Sequence, residues 1–321
     1  MKPEMDRILW AVDPFMVESG LQKTALAAIE KMTAGNPDVV VQPVYVWGTA
    51  PLEGLIEPSV YEQERWRKDG QKRIDRVIGA KRVNLKPLEI VAKPFGTVKE
   101  QVQELVHYAK TSGTDLIVLS THARKGPARW LLGSFAETLA FMSDVPLLIA
   151  RPDWQHQGTT RNVFFLTDFS KESVMAFQNI LNEAKKKNWG ITIYHHVKYP
   201  LYPGADFDFA LMNAYDSAYE EEVKARKVDA EGMADLARER GIRVSVYVDT
   251  SRVGSPADLA LKAMKKKTYL FATLASRSAG KTKLLFLGST TRQLIRNSLI
   301  PVWVIYPPRS AEAEGPYTAV A

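Results

Sequence analysis

The sequence predicts two tandem α/β domains, each a five-stranded parallel sheet with helices on both faces. Three observations predict it. Landmarks recur at one offset: Asp13 and Asp168 each end an apolar run, Gly133-Ser134 and Gly288-Ser289 follow later, and each second copy lies 155 residues after the first. Leu119, Leu132, Leu139 and Pro146 map onto Leu274, Leu287, Leu294 and Pro301 by the same shift. Within each half, short branched apolar runs alternate with longer stretches of helical period. A length of 321 residues is also about that of two domains.

In the first half, strand-like runs fall at 7–12, 39–46, 88–92, 116–119 and 145–150. They are short, apolar and rich in branched residues, as strands covered on both faces must be. Helical patterns lie between them, at about 17–33, 58–80, 98–111 and 134–142. The third sets Val102, Leu105, Val106 and Ala109 along one face. The second half repeats the order, with strands near 162–167, 191–197, 242–248, 269–274 and 301–306. Residues 151–160 read as a polar linker. These boundaries give domains at 1–152 and 160–307, with a Pro-, Ala- and Glu-rich tail at 308–321. The last runs, Val145–Ala150 and Pro301–Tyr306, are apolar edge strands. Each invites a partner, so the two halves are expected to pair there as an intramolecular pseudo-dimer. Association of whole chains into a homodimer is left open.

Composition excludes several chemistries. The chain has no cysteine, so disulfides, thiolate catalysis and sulfur-ligated zinc are out. Five histidines leave little for a histidine-rich metal centre. No apolar run approaches the ~20 residues of a membrane span, and the N-terminus lacks a signal peptide's apolar core. A cytoplasmic protein is the expectation. The net charge of +7 is a mild bias toward anions, and nucleic acid is not the expected partner.

Ligands of a doubly wound sheet sit beyond the carboxyl ends of its strands. Asp13 and Asp168 end the first strand of each half, so both belong to that crevice. Gly133-Ser134 and Gly288-Ser289 open the last helix of each half. There a glycine admits an anion to the backbone, a serine can cap, and helix N–H groups lie free. The plain reading is a helix cap alone.

The stretch Asp115-Leu-Ile-Val-Leu-Ser-Thr-His-Ala-Arg-Lys-Gly126, with Leu131-Leu132-Gly133-Ser134 and Val145-Pro146-Leu147-Leu148, resembles a universal stress protein domain. The second half is similar through Asp168-Phe-Ser170-Lys-Glu-Ser173, Leu287-Gly288-Ser289 and Ile300-Pro301-Val302. The resemblance covers nearly the whole chain. It implies a Rossmann-like fold of the adenine nucleotide alpha hydrolase-like class, and cytoplasmic stress-response proteins that are usually dimeric. Some members bind ATP through Gly-x-x-Gly, a spacer and Gly-Ser. Here those first two glycine positions hold Ser120 and Ala123 in one half, and Ala275 and Ser278 in the other. Glycines let such a loop take positive φ and let phosphates lie on bare backbone. Ser120 and Ala275 are expected to project atoms into that space, and Pro14 after Asp13 removes a donor. His122 sits where the family often has histidine.

The candidate nucleotide or anion site is therefore Asp13, Ser120, His122, Ala123, Arg124, Gly133 and Ser134 in the first half. In the second it is Asp168, Ala275, Arg277, Ser278, Gly288 and Ser289. The cofactor this implies is ATP, bound weakly. No catalytic constellation and no metal site is expected. The leading function is a non-catalytic stress-response protein that binds protein or small-molecule partners. The alternative is an ATP-binding switch or slow ATPase.

Other signals are weaker. Ala275 to Thr282 imitates a phosphate loop but lacks its first glycine. Arg124, Lys125, Arg129, Arg277, Lys281 and Lys283 form a basic rim. His195 and His196 are adjacent on a strand and so point to opposite faces, which bars a shared metal. Lys185-Lys186-Lys187 and Lys265-Lys266-Lys267 read as solvated helix ends. The apolar connections around Leu52, Leu55, Ile56, Val60 and Tyr61, and from Tyr199 to Phe209, read as packing segments, or more sharply as the walls of an apolar pocket.

Overall fold

The computed structural model describes residues 5–16, 19–34, 36–48, 59–79, 83–92, 96–121, 134–151, 154, 160–200, 209–276 and 287–306. The first half runs β1 (Arg7–Ala11), α1 (Ser19–Thr33), β2 (Val40–Trp47), α2 (Val60–Ile78), β3 (Asn84–Leu85), β4 (Glu89–Ala92), α3 (Val98–Thr111), β5 (Leu116–Ser120), α4 (Ser134–Met142) and β6 (Leu147–Ala150). The second runs β7 (Asn162–Leu166), α5 (Lys171–Lys187), β8 (Gly190–His196), α6 (Phe209–Glu239), β9 (Val244–Asp249), α7 (Pro256–Met264), β10 (Ala272–Ala275), α8 (Ser289–Asn297) and β11 (Val302–Ile305).

Local chemistry sets many of the ends. Ser59 and Thr97 open α2 and α3 as reciprocal capping boxes with Glu62 and Glu100. Ser170 caps α5, and Ser255 caps α7 with Pro256 behind it. Asn188 closes α5 in the left-handed conformation at φ 52°.

The strand expected at 88–92 is present as β4, and an unexpected two-residue strand, β3, precedes it. β3 pairs with the start of β2 at Val40 and Val41, while β4 pairs with its end from Val44 to Trp47. Pro87 lies between them and has no N–H to give the ladder. Side chains fill the gap: Gln42 Nε2 donates to the Pro87 carbonyl at 2.6 Å, and Leu88 N–H donates to Gln71 Oε1 at 2.6 Å. The counterpart of β3 and β4, β9, has no proline and is continuous.

The halves share one eleven-stranded sheet, ordered β3-β2-β1-β5-β6-β11-β10-β7-β8-β9, with β4 also on β2. Among the described residues all pairs are parallel but one. At the centre β6 and β11 run antiparallel, with Val302 opposite Ile149 and Val304 opposite Leu147. The expected edge-to-edge pairing is thus present, and it joins the two expected sheets into one. Alternation along the strands feeds two cores, one per face. Ile8, Trp10, Phe165 and Trp303 lie in one, and Leu9, Phe164, Val302 and Val304 in the other. Each core spans both halves. Two expectations of solvation give way. Trp154 of the linker is buried. Lys187 is half-buried, with its side chain covered against Glu183 and its ammonium 5.5 Å from the Trp189 ring. Among the described residues no helix is long and apolar enough to cross a membrane.

Candidate functional site

In each half the strand order reverses beside the first strand, between β1 and β5 and between β7 and β10. Asp13 and Asp168 stand at these switch points and make the same turn. Asp13 Oδ1 accepts the Phe15 N–H at 2.9 Å, and Asp168 Oδ1 accepts the Ser170 N–H at 3.0 Å. The donor comes from two residues on, so Pro14 costs this turn nothing. The two turns still differ: Phe169, at the Pro14 station, has φ 58°. A side chain held there costs ~1–2 kcal/mol.

The first-half crevice is lined by groups that the sequence motifs did not flag. Gln22, 7% exposed on α1, donates Nε2 to the Asp13 carbonyl at 2.8 Å. Its Oε1 is buried with no hydrogen-bond partner among the described residues. Ser120 ends β5, but its hydroxyl donates to the Leu21 carbonyl at 2.7 Å, so it is turned onto α1. The Phe15 ring lies 5.5 Å from Tyr45, with the Arg73 guanidinium 5.6 Å away. Burial, then the nearby Asp13 carboxylate, pushes the Tyr45 hydroxyl up to about 12.

The second half builds a parallel cluster from different residues. Phe169 lies 4.6 Å from the His195 ring, under the Arg226 guanidinium at 5.8 Å. His195 Nδ1 bonds the Thr167 carbonyl at 2.8 Å. Burial above all, with Arg226 and His196 adding, holds its pKa below the usual histidine value. Asp168 Oδ1 also accepts from the hydroxyls of Ser170 at 2.5 Å and Ser173 at 2.7 Å. Partial burial works to raise its pKa, yet these hydrogen bonds prevail and hold it below the ordinary carboxylate range.

Where Gln22 stands in the first half, the second half has Phe177, 155 residues on and packed 5.1 Å from Phe165. At this station the first half buries an amide and the second a ring. The Asp-x-Ser-x-x-Ser spacing could have announced the Asp168 network. Nothing local could have announced Arg226, which α6 brings in from far along the chain.

At the last helix of the second half, Gly288 is the cap residue and Ser289 the first helical one, with no side chain capping the turn. The expected serine cap is therefore shifted by one, because Ser289 already lies inside the helix. Ser134 likewise begins α4. Ala275 ends β10. His122, Ala123, Arg124, Gly133, Arg277 and Ser278 lie outside the described residues. So do Lys125, Arg129, Lys281, Lys283, Leu52, Leu55 and Ile56, the body of the phosphate-loop look-alike, and the tail.

His195 and His196 bond separate carbonyls, of Thr167 and Ser251. Among the described residues no three His, Asp or Glu side chains are grouped to hold a metal ion.

Comparison with known proteins completes the picture. The model of the family described as "Universal stress protein family" matches twice, over residues 4–151 and 159–306. No curated protein matches. Among solved structures, a universal stress protein from Archaeoglobus fulgidus DSM 4304 is 20% identical, covers 96% of this chain and 98% of its own, and superposes with a TM-score of 0.61. A functionally unknown protein from Pseudomonas aeruginosa PAO1 is 13% identical over 95% and 94% of the two chains, with a TM-score of 0.56. At these identities the likeness is one of fold. The double family match carries the assignment: the chain belongs to the universal stress protein family.

Proposed function

We propose that this is a non-catalytic, cytoplasmic stress-response protein that binds protein or small-molecule partners, and that its two nucleotide motifs are degenerate. One observation supports this above the others: the groups that would greet a nucleotide are engaged by the chain itself. Asp168 is held by the hydroxyls of Ser170 and Ser173, and Ser120 by the Leu21 carbonyl. A carboxylate so held is a poor base, because its hydrogen bonds favour the form that has already lost the proton.

Sites on this reading are Asp13, Ser120, His122, Ala123, Arg124, Asp168, Ala275, Arg277 and Ser278 with the two Gly-Ser turns. Ser120 and Ala275 end strands without a positive φ, so the cost falls on the second replaced glycine of each half, Ala123 or Ser278. If that position must take positive φ, a nucleotide is weakened by ~1–2 kcal/mol, about five- to thirtyfold. The alternative, an ATP-binding switch or slow ATPase, draws support from the uncapped start of α8 at Gly288, where backbone donors face the crevice end of the sheet.

Thermal shift with magnesium-ATP, ADP, AMP and no nucleotide separates the two, since a ligand of the folded state raises its melting temperature. The proposal expects no shift at micromolar nucleotide. Restoring Ser120→Gly with Ala123→Gly, or Ala275→Gly with Ser278→Gly, should tighten ATP binding in calorimetry. Sub-micromolar binding by the unaltered chain would overturn the proposal.

A further inference from the structure

We propose that the last-strand edge of each half accepts only the unlike half, so that the chain pairs its own two halves and rejects like-with-like dimers. Glu137 on α4 and Arg292 on α8 are 155 residues apart, the offset that relates the halves. They meet across the β6–β11 seam, with Arg292 Nε 3.7 Å from Glu137 Oε1. Arg296 donates to the same oxygen from Nη2 at 2.7 Å. The counterpart of Arg296 is Phe141, and the Arg292 guanidinium lies 4.9 Å from the centre of that ring. One helix brings a carboxylate and a ring, the other brings two guanidinium groups.

The other seam contacts seen among the described residues do not discriminate. Arg151 donates to the Arg296 carbonyl at 2.7 Å, and its counterpart Tyr306 donates to the Ala140 carbonyl at 2.7 Å. Both acceptors are backbone groups near the end of the opposite helix, and every sequence offers those. The strands Leu-Leu-Ile-Ala and Val-Trp-Val-Ile are alike in character, and either could pair with itself.

Glu137 and its two arginines do discriminate. A first-half pair built on the same geometry would set one Glu137 against another, with no guanidinium from α8. A second-half pair would gather two Arg292 and two Arg296 with no Glu137. These side chains are only 24% (Glu137), 39% (Arg292) and 30% (Arg296) exposed, so solvent screens them less than it would free surface charges. Selectivity of this kind comes from repulsion in the wrong pair as much as from attraction in the right one. The edge that joins the halves is thereby closed to a like domain.

The test keeps the full chain and places a protease site within 155–159. After cleavage, native mass spectrometry should find the two halves as a one-to-one pair without like pairs. Glu137→Arg should weaken the nicked pair at least tenfold, and Glu137→Gln should weaken it less. Adding Arg292→Glu and Arg296→Glu to Glu137→Arg should restore the pair, which the reversed charges alone can explain. Circular dichroism of the uncut chains reports folding. If Glu137→Arg does not fold, recovery of the fold in the triple reversal supports the proposal and failure to recover overturns it. Like pairs from the nicked native chain, or a Glu137→Arg pair as tight as the native one, also overturn it.

Discussion

Gln22 and Phe177 hold the same station on the first helix of their halves, and both are buried, yet one is an amide and the other a ring. Phe177 stacks on Phe165, while Gln22 bonds the Asp13 carbonyl and leaves Oε1 unpartnered. A buried acceptor without a donor costs about 1–3 kcal/mol, and one good hydrogen bond returns about 1. Gln22→Leu should therefore leave stability unchanged or raise it by up to ~2 kcal/mol. Phe177→Gln should cost at least ~3 kcal/mol, through lost packing and a newly buried amide. Urea unfolding of the two variants measures both. Equal losses would mean that the two stations are not as different as they look.

Asp168 gives the second half an acid-sensitive element. Its folded pKa lies below the ordinary 3.8, so the unfolded chain takes up the proton first as pH falls. The stability this network supplies is complete above the unfolded value and is lost as pH drops through the folded one. Asp168→Asn should cost ~1 kcal/mol at neutral pH, the scale of a lost helix-start hydrogen bond, and should flatten the acid slope below about pH 4. An unchanged slope in acid denaturation would exclude Asp168 as its source.

His195 should report at milder pH. Burial, then Arg226 and His196, holds its folded pKa below 6.5, while the Thr167 carbonyl and Asp168 pull the other way. The neutral ring therefore contributes stability that is present above the unfolded value and lost as pH falls through the folded one. Thermal unfolding between pH 7.5 and 5 should show a falling midpoint. His195→Asn, which can keep a donor toward the Thr167 carbonyl, should lose that part of the dependence. An identical pH profile in the variant would sink the assignment.

Tyr306 ties the end of the second half to α4 of the first. Its hydroxyl is buried, which drives its pKa up and favours the neutral, donating form. Tyr306→Phe removes only the bond to the Ala140 carbonyl, at an expected cost of ~1–2 kcal/mol. The loss should appear as one cooperative transition moving down, because both cores run through the seam. A variant in which the halves melt separately would show that the cores are less continuous than their packing implies.

By itself the sequence determined the duplication, nearly every strand and helix, the two strand-end carboxylates and the pairing of the last strands. All of these rest on local pattern: apolar period, cap residues, and landmarks repeated at one spacing. The short strand β3 was not expected, because its two residues carry no apolar run of their own and find a partner only at the start of β2. Tertiary structure alone decided the rest. It turned Ser120 onto Leu21, set Arg226 and Arg73 over phenylalanine rings, left Gln22 Oε1 unpartnered beside Asp13, and brought Glu137 to Arg292. Apart from Gln22 and Asp13, which are close in sequence, each of these contacts joins residues far apart along the chain. Charge, ring and amide are visible in a sequence, but their neighbours are chosen by the sheet that brings distant segments together.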